Sequence, residues 1–245
     1  MNPTRALTLS ALLFTGCAGE GSWLLTTWGE EYIESGIPAS AFTDGCSVVF
    51  DRFEVVDQEL ALLDGDGGVV GEIADSFVMD MTEPGPVELG SASVPATHYD
   101  EVGWRIGPTD DEPVSVSIEG VLACGETLVS FTWDFDTDTT YHCEPEDLTI
   151  PAGGSDETEL TVHGDHLFYD SLEDPDAELR GQAIVDADAD ADGVVSRAEL
   201  EGVSVAALGY DVGSRAEVED LYAFIAFLTR TLGHVDGEGH CQVAF

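Results

Sequence analysis

The sequence predicts an α+β protein in which an antiparallel β-sandwich is followed by a small helical region. In residues 43–163, short runs alternate apolar and polar residues and are separated by Gly, Pro and Asp, which is typical of strands joined by turns. In residues 164–245, apolar residues instead recur at helical spacing. This change of period predicts a boundary near residue 163 between a sandwich domain and a helical region.

Eight segments show the alternation expected of strands. They are Ser47–Val56, Glu59–Leu63, Phe77–Met81, Val87–Leu89, Val102–Ile106, Val114–Val121, Leu128–Phe135 and Glu159–Val162. The segment Asp64–Gly68 predicts a hairpin turn, because Asp and Gly tolerate the positive φ angles of such turns. Several short strands at this spacing favour an antiparallel sandwich.

Two longer helices are predicted in the second region. The first covers Pro175–Val185, with Asp174 as its N-cap and Pro in the first turn. The second covers Arg215–Leu232 and starts with a capping box at Ser214. Its apolar face is expected in the core and consists of Leu221, Phe224, Ile225 and Leu228.

The first sixteen residues are typical of an export signal. A single Arg precedes the apolar run Ala6–Phe14, which is too short to span a bilayer. The sequence Leu-Phe-Thr-Gly-Cys at residues 13–17 resembles the lipobox of bacterial lipoproteins, which implies a lipid on Cys17 and a membrane tether over residues 17–42. A secreted protein cleaved a few residues later is the alternative. Both readings place the mature chain outside the cytoplasm. The lipid anchor places it in the cell envelope, at the outer membrane or in the periplasm of a Gram-negative bacterium.

The charge balance excludes one class of partner. Fifty acidic residues face seven basic ones, for a formal net charge of −43. Such a surface repels phosphate backbones, so nucleic-acid binding is not expected. Adaptation to salty water accounts for most of this acidity, since salt screens the self-repulsion. Only a specific arrangement of carboxylates therefore indicates a metal site.

Four cysteines remain if Cys17 carries a lipid, and an oxidising compartment favours two disulfides. Of the three possible connectivities we expect Cys124–Cys143, because these residues lie on segments predicted to be neighbouring strands. The pair Cys46–Cys241 follows and would fix the Gly-rich tail to the first strand. A thiolate metal site is the alternative, although none of the four belongs to a C-x-x-C pair.

The acidic loop Asp188–Glu199 fits the calcium-binding pattern D-x-[DN]-x-[DN]-G-x5-E at every position. Calcium takes six to eight oxygen ligands, and loop positions 1, 3, 5, 7, 9 and 12 supply them. Gly193 at position 6 permits the sharp bend. The loop resembles that of EF-hand proteins, and this resemblance gives the expected ligands as Asp188, Asp190, Asp192, Val194, Ser196 and Glu199.

The match comprises a single loop, whereas EF-hands usually pair through the apolar residue at position 8, here Val195. The tail after His240 is the hypothetical partner of Val195. A single hand outside the cell predicts a weak structural calcium site, with a dissociation constant of roughly 10⁻⁴ to 10⁻³ M. A solvated acidic loop is the alternative.

Four of the six histidines lie late in the chain and suggest a second, softer metal site. Neutral imidazole is a common ligand of zinc and copper. His163 and His166 form an H-x-x-H pair near the end of a predicted strand, and a tail held by Cys241 would bring His234 and His240 close to it. Alternatively, the first two belong to a turn and His234 ends a helix. His98 and His142 are expected to be structural.

A further resemblance concerns the fold. The segments Phe77–Val87 and Val94–Val102 resemble the Pro-Ala-Gly-x-Tyr region of prealbumin-like β-sandwich lipoproteins, which include the methanobactin-associated copper-binding family. In those proteins copper lies on histidines and a modified tryptophan. Thr97 and His98 replace the usual Gly-containing turn here, and no ligand is assigned from the resemblance. It supports a prealbumin-like or Ig-like sandwich.

Motifs of enzyme active sites are missing from the sequence: it has no G-x-S-x-G, H-E-x-x-H or phosphate-binding Gly loop. The sequence therefore favours a calcium-stabilised extracytoplasmic binding or interaction protein. A copper- or zinc-handling lipoprotein ranks second, and a hydrolase third. Its protein or small-molecule partner is not specified by any motif.

Overall fold

The computed structural model describes residues 19–237, 239 and 241–244. Most of the regular structure is β-strand. The strands are β1 (Glu20–Trp28), β2 (Cys46–Leu63), β3 (Val69–Ile73), β4 (Phe77–Asp80), β5 (Val87–Pro95), β6 (Glu101–Ile106), β7 (Val116–Cys124), β8 (Thr127–Phe135), β9 (Thr139–Cys143), β10 (Ser155–Val162), β11 (Val194–Val195), β12 (Gly233–Val235) and β13 (Cys241–Ala244).

The strands form two sheets, as a β-sandwich requires. A four-stranded sheet has the order β12-β10-β1-β5. A nine-stranded sheet has the order β11-β8-β7-β2-β6-β9-β13, with β3 and β4 paired to β2. The prediction of a purely antiparallel sandwich is wrong in two places, because β1 pairs with β10 and β11 with β8 in parallel.

Two of the predicted strands form a single strand in the structure. Ser47–Val56 and Glu59–Leu63 both belong to β2, which pairs antiparallel with β7 over its first part and with β6 over its last part. The register shifts between Gln58 and Ala61, where Glu59 has φ 54°. This bulge hides the continuity in the sequence, because an extra residue interrupts the alternation of period two.

Several strands escaped prediction. The N-terminal segment contains β1, which lies between β10 and β5 and buries Trp23 and Leu25 completely. Residues 25–27 of β1 are all buried, so both faces of the strand are covered and its sequence lacks the alternation of a half-exposed strand. The predicted hairpin turn is confirmed: the Asp64 N–H donates to the Gly68 carbonyl at 2.8 Å, and Gly67 has φ 78°.

The predicted disulfide pairing is wrong. Cys46 bonds to Cys124, and Cys143 bonds to Cys241. Each pair occupies directly opposite positions on adjacent antiparallel strands, β2 with β7 and β9 with β13. The tail is therefore held against β9 and not against the first strand.

The helices are shorter than predicted. They are α1 (Glu30–Glu34), α2 (Gln182–Val185), α3 (Arg197–Leu200), α4 (Val205–Leu208) and α5 (Leu221–Leu228), together with 3₁₀ turns at Gly164–Phe168 and Thr229–Thr231.

Two predicted helix starts are wrong. Helix α2 begins well after Pro175, because the preceding segment makes bridges through Leu179. Helix α5 begins after Asp220, whose carboxylate accepts from the Ala223 N–H at 2.8 Å, and not at the predicted cap Ser214. A true N-cap competes with an apparent capping box, and tertiary contacts decide between them.

One apolar core joins the sheets and the C-terminal segments. It contains side chains from β1, β6, β8 and α5, and the predicted apolar face of α5 is buried. Among the described residues, no helix has both the length and the apolarity needed to cross a membrane. Cys17 and the signal segment lie outside the described residues.

Candidate metal centre

Three of the four late histidines meet at one end of the four-stranded sheet. His163 directly follows β10, His166 lies in the 3₁₀ turn after it, and His234 lies on β12. Strand β12 runs antiparallel to β10, with His234 directly opposite Thr161. The backbone N–H of His163 donates to the Leu232 carbonyl at 2.9 Å, which fixes the entry to β12 beside the turn.

The three imidazoles lie at the spacing of a shared ion. One ring nitrogen from each of His163, His166 and His234 lies within 4.8 Å of the other two. The ring centroids are 4.3 Å apart for His163 and His234, 5.1 Å for His166 and His234, and 5.4 Å for His163 and His166. His163 is buried and the other two are half-buried. The sequence-based grouping of these three residues is therefore reproduced in space.

Hydrogen bonds orient the His163 ring. Its Nε2 lies 3.2 Å from the Gly237 carbonyl oxygen. A carbonyl oxygen only accepts, so Nε2 carries the proton and donates. In the neutral ring, Nδ1 then keeps a lone pair, which is the form that binds a metal.

The same reasoning fixes His166. Its Nδ1 lies 3.0 Å from Thr231 Oγ1, and the Thr231 hydroxyl donates its only proton to the Leu228 carbonyl at 2.9 Å. Thr231 Oγ1 must therefore accept from His166, so Nδ1 carries the proton and Nε2 keeps the lone pair. In each ring one nitrogen donates to a neighbouring oxygen and the other keeps a lone pair, an arrangement typical of metal-ligating histidines.

The carboxylate of Glu30 lies next to the His163 ring. Glu30 Oε1 lies 3.5 Å from His163 Nε2, and the Glu30 side chain is only partly exposed. Glu30 has φ 55°, in the left-handed region that disfavours side chains with a Cβ. Such strain persists only where the surrounding structure enforces it, and it often accompanies functional sites.

His166 favours the neutral state. Burial, together with the neighbouring His234 and His163, lowers the pKa of His166 to about 3. Burial disfavours the imidazolium form, and a second positive charge nearby adds to this. His166 therefore offers a lone pair without prior loss of a proton at neutral pH.

The remaining histidines lie elsewhere. His98 contacts Thr149 and Asp100 at the surface, and His142 Nδ1 lies 2.7 Å from Glu101 Oε1. Both lie apart from the metal-ligand clusters found among the described residues, as expected for structural histidines. His240 lies outside the described residues, so its predicted membership of the site stays a prediction.

The acidic loop forms a second cluster. One carboxylate oxygen from each of Asp188, Asp190 and Asp192 lies within 4.8 Å of the others. The loop bends at Gly193, which has φ 82° and donates its N–H to Asp188 at 3.0 Å. The sharp bend at position 6 is therefore present.

Glu199 closes this loop. Its Oε1 accepts from the Ala189 N–H at 3.0 Å, and its Oε2 accepts from the Ser196 N–H at 2.9 Å and hydroxyl at 2.8 Å. Hydrogen bonds from Ser196, Ala189 and Asp190 hold the pKa of Glu199 below its usual value. The Glu199 carboxylate thus faces the start of the loop and caps helix α3 through Ser196.

The hypothetical contact between the tail and Val195 is wrong. Strand β11 pairs in parallel with β8, where Val195 lies opposite Phe131. The Trp133 indole N–H donates to the Val195 carbonyl at 3.1 Å, and the Ser130 N–H donates to the Gly193 carbonyl at 2.9 Å. Val195 therefore pairs with the edge of the large sheet, where a paired EF-hand would use a second loop. The tail pairs with β9 instead.

Sequence reasoning missed the groups that orient the histidines. Glu30 lies far from the histidines in the chain, and Thr231 carries no motif. Gly237 acts through its backbone carbonyl. Such contacts depend on the fold and cannot be read from local patterns. The one relevant sequence signal was the Gly-rich stretch after His234, which indicated a turn.

Comparison with known proteins gives one distant likeness. No protein-family model matches the chain, and no curated protein matches it. The solved structure of MbnP from Methylosinus trichosporium aligns with 92% of this chain and 99% of its own, at 10% sequence identity and a TM-score of 0.37. At this identity and TM-score, the likeness carries no argument about function.

Proposed function

We propose that this chain binds a copper or zinc ion through His163, His166 and His234. The convergence of three imidazole nitrogens within 4.8 Å carries the proposal. Imidazole suits both metals, and three protein ligands leave a coordination position for water or another ligand. This function ranks above the calcium-binding one, reversing the order that the sequence favours.

The donor set supports a neutral, soft site. His163 and His166 each donate one ring proton, to Gly237 and Thr231, so each has one lone pair left for an ion. Nitrogen sites bind Cu²⁺ more tightly than Zn²⁺. We therefore expect copper to displace zinc.

Calcium binding is the second candidate function, and the acidic loop supports it. Three carboxylates converge, Glu199 faces the loop start, and β8 anchors the loop at Val195. The expected ligands remain Asp188, Asp190, Asp192, Val194, Ser196 and Glu199. An EF-hand-like calcium site here would stabilise the chain, because the loop is joined to the core strand β8.

Metal handling at the cell envelope completes the proposal. The export signal and the lipid on Cys17 would hold the chain on a membrane, with both metal sites outside the cytoplasm. A binding protein fits better than an enzyme, since the sequence carries no catalytic motif. Growth with labelled palmitate should label the wild-type chain, and Cys17→Ser should abolish that label.

Calorimetry tests the first function directly. The wild-type chain, freed of metal, is titrated with Cu²⁺ and Zn²⁺ in buffer containing excess calcium, which saturates the acidic loop. We expect one site that is lost in a His163→Ala, His166→Ala double variant. His98→Ala with His142→Ala serves as the matched control, because these histidines lie at the surface. Equal binding by both double variants would refute the proposal.

A further inference from the structure

Four buried polar side chains share one inner face of the large sheet. Asp57 on β2 lies opposite Ile106 on β6, which lies opposite Thr139 on β9. Two residues along, Trp104 lies opposite Tyr141. Because directly opposite residues and alternate residues face the same side of a sheet, the four polar side chains lie together. All four residues are 0% exposed: Asp57, Trp104, Thr139 and Tyr141.

These side chains have no hydrogen-bond partner among the described residues. This holds for both Asp57 oxygens, for Trp104 Nε1 and for Thr139 Oγ1. The Tyr141 hydroxyl oxygen faces the backbone N–H of Gly233, but no described acceptor takes its proton. Leaving a buried polar group unpaired costs roughly 1–3 kcal/mol, so such a cluster demands an explanation.

The groups are chemically complementary but do not meet. Trp104, Tyr141 and Thr139 offer donors, whereas Asp57 offers two acceptor oxygens. A water molecule both donates and accepts, and buried waters in proteins typically make about three such bonds. We propose that ordered water molecules bind among Asp57, Thr139, Trp104 and Tyr141 and join them in one internal hydrogen-bond network.

The network also explains how the fold accommodates Asp57. Burial raises the pKa of Asp57 to about 8. On the opposite face of these strands, the Arg105 guanidinium pairs with the carboxylates of Glu59 and Asp138. Tyr141 is the titratable group that faces Asp57. Asp57 is therefore a neutral carboxylic acid at pH 7 and donates a proton into the water network.

The position of the network separates it from the metal centre. The Trp104 and Tyr141 rings stack, with centroids 4.9 Å apart, and cover Gly233, where a Cβ would lie 2.5 Å from Trp104 Cζ2. Side chains alternate along β12, so His234 faces the other way. The water site therefore does not depend on metal binding.

Infrared spectroscopy tests the protonated carboxyl. The wild-type minus Asp57→Asn difference spectrum at pH 6 should contain the band of a buried carboxylic acid, which should convert to carboxylate as the pH rises through about 8. Asp51→Asn is the matched control on the same strand, because Asp51 is exposed. Its difference spectrum should lack the band of a buried carboxylic acid.

Nuclear magnetic resonance tests the water. Magnetisation transfer from long-lived water to the Trp104 indole proton is expected in the wild type and should weaken in Thr139→Val, which removes one partner. If Asp57→Asn does not fold, the wild-type pH titration and Thr139→Val still decide the matter. A carboxylate at pH 6 that responds to sodium or potassium, or an indole proton without water contact, would overturn the proposal.

Discussion

The rings of His163 and His234 lie 4.3 Å apart between centroids and are tilted by 37°, although one residue follows β10 and the other lies near the end of the chain. The antiparallel pairing of β10 with β12 creates this contact. His166 joins the pair from the turn after β10, and Gly237 and Thr231 orient the rings. The histidine cluster is thus a product of sheet topology.

Single substitutions of the three histidines should weaken copper binding strongly. Replacing His166 by Ala removes one nitrogen and leaves two, so the affinity should fall by more than the roughly 10–100-fold lost with an outer partner. Isothermal titration of the folded variant gives the value, and circular dichroism checks the fold. His142→Ala should bind copper as the wild type does. An unchanged affinity in His166→Ala would remove this residue from the site.

Substitution of Glu30 by Gly should change stability and copper affinity in opposite directions, because its strained backbone lowers stability while its carboxylate supports the histidine site. Glycine adopts φ 55° without the cost of a Cβ, so Glu30→Gly should raise the free energy of unfolding by about 1 kcal/mol. The same change removes the carboxylate behind His163 and should lower copper affinity by roughly 10–100-fold.

A comparison with Glu30→Gln isolates the charge. This variant keeps the strained backbone and the side-chain length, so it should lose affinity without gaining stability. Thermal unfolding and titration of both variants provide the comparison. If Glu30→Gly bound copper as tightly as the wild type, Glu30 would have no role in positioning His163.

Calcium should stabilise the chain through the acidic loop. With a dissociation constant of roughly 10⁻⁴ to 10⁻³ M, 10 mM calcium adds about 1.4–2.7 kcal/mol and raises the Tm by several degrees. Trp133 donates to Val195, so its fluorescence should change with calcium, and Trp133→Phe should remove that change.

Asp190→Ala separates a calcium effect from general screening. It removes one expected ligand and should abolish the rise in Tm. Glu201→Ala, which removes an exposed carboxylate paired with Arg197, should keep it. A Tm increase of equal size in both variants would point to nonspecific screening of the acidic surface.

The stability of the fold should fall between about pH 4 and about pH 8, because over this range Asp57 is ionised in the unfolded chain but still protonated in the folded chain. Its folded pKa of about 8 lies above the unfolded value, so the native state holds more protons between these values. The stabilisation by the protonated Asp57 side chain is fully present below about pH 4 and is lost as the pH rises to about 8. Over this range the free energy of unfolding falls by at most about 1.4 kcal/mol per pH unit. The free energy of unfolding in urea should decrease with pH by this additional slope in the wild type compared with Asp57→Asn. Parallel pH profiles of the two proteins would contradict the prediction.

The sequence predicts much of the large sheet, because its alternating strands have one buried and one exposed face. Leu128–Phe135 and Val102–Ile106 differ from the observed strands by one residue at one end. Strand β1 was missed, because both of its faces are buried and its sequence therefore lacks clear alternation. The long helix predicted from Pro175 was wrong because tertiary bridges replace local helical bonds there.

The histidines of the candidate metal centre were predictable from the sequence, but the groups around them were not. The H-x-x-H spacing indicated a nitrogen site, and its link to His234 was inferred from a disulfide to Cys241. The predicted disulfide partner of Cys241, Cys46, was wrong. The tail is still held, because Cys241 bonds to Cys143, and β12 brings His234 to the other two histidines. Glu30 and Thr231 required the fold, because no local pattern brings them to the histidines.

X-ray absorption spectroscopy of the copper-loaded protein tests the central claim most directly. The account predicts a first shell dominated by three imidazole nitrogens, with the outer-ring scattering typical of histidine, and its loss in the His163, His166 and His234 triple alanine variant. A first shell of oxygen atoms, or an imidazole shell that persists in the triple variant, would contradict the account.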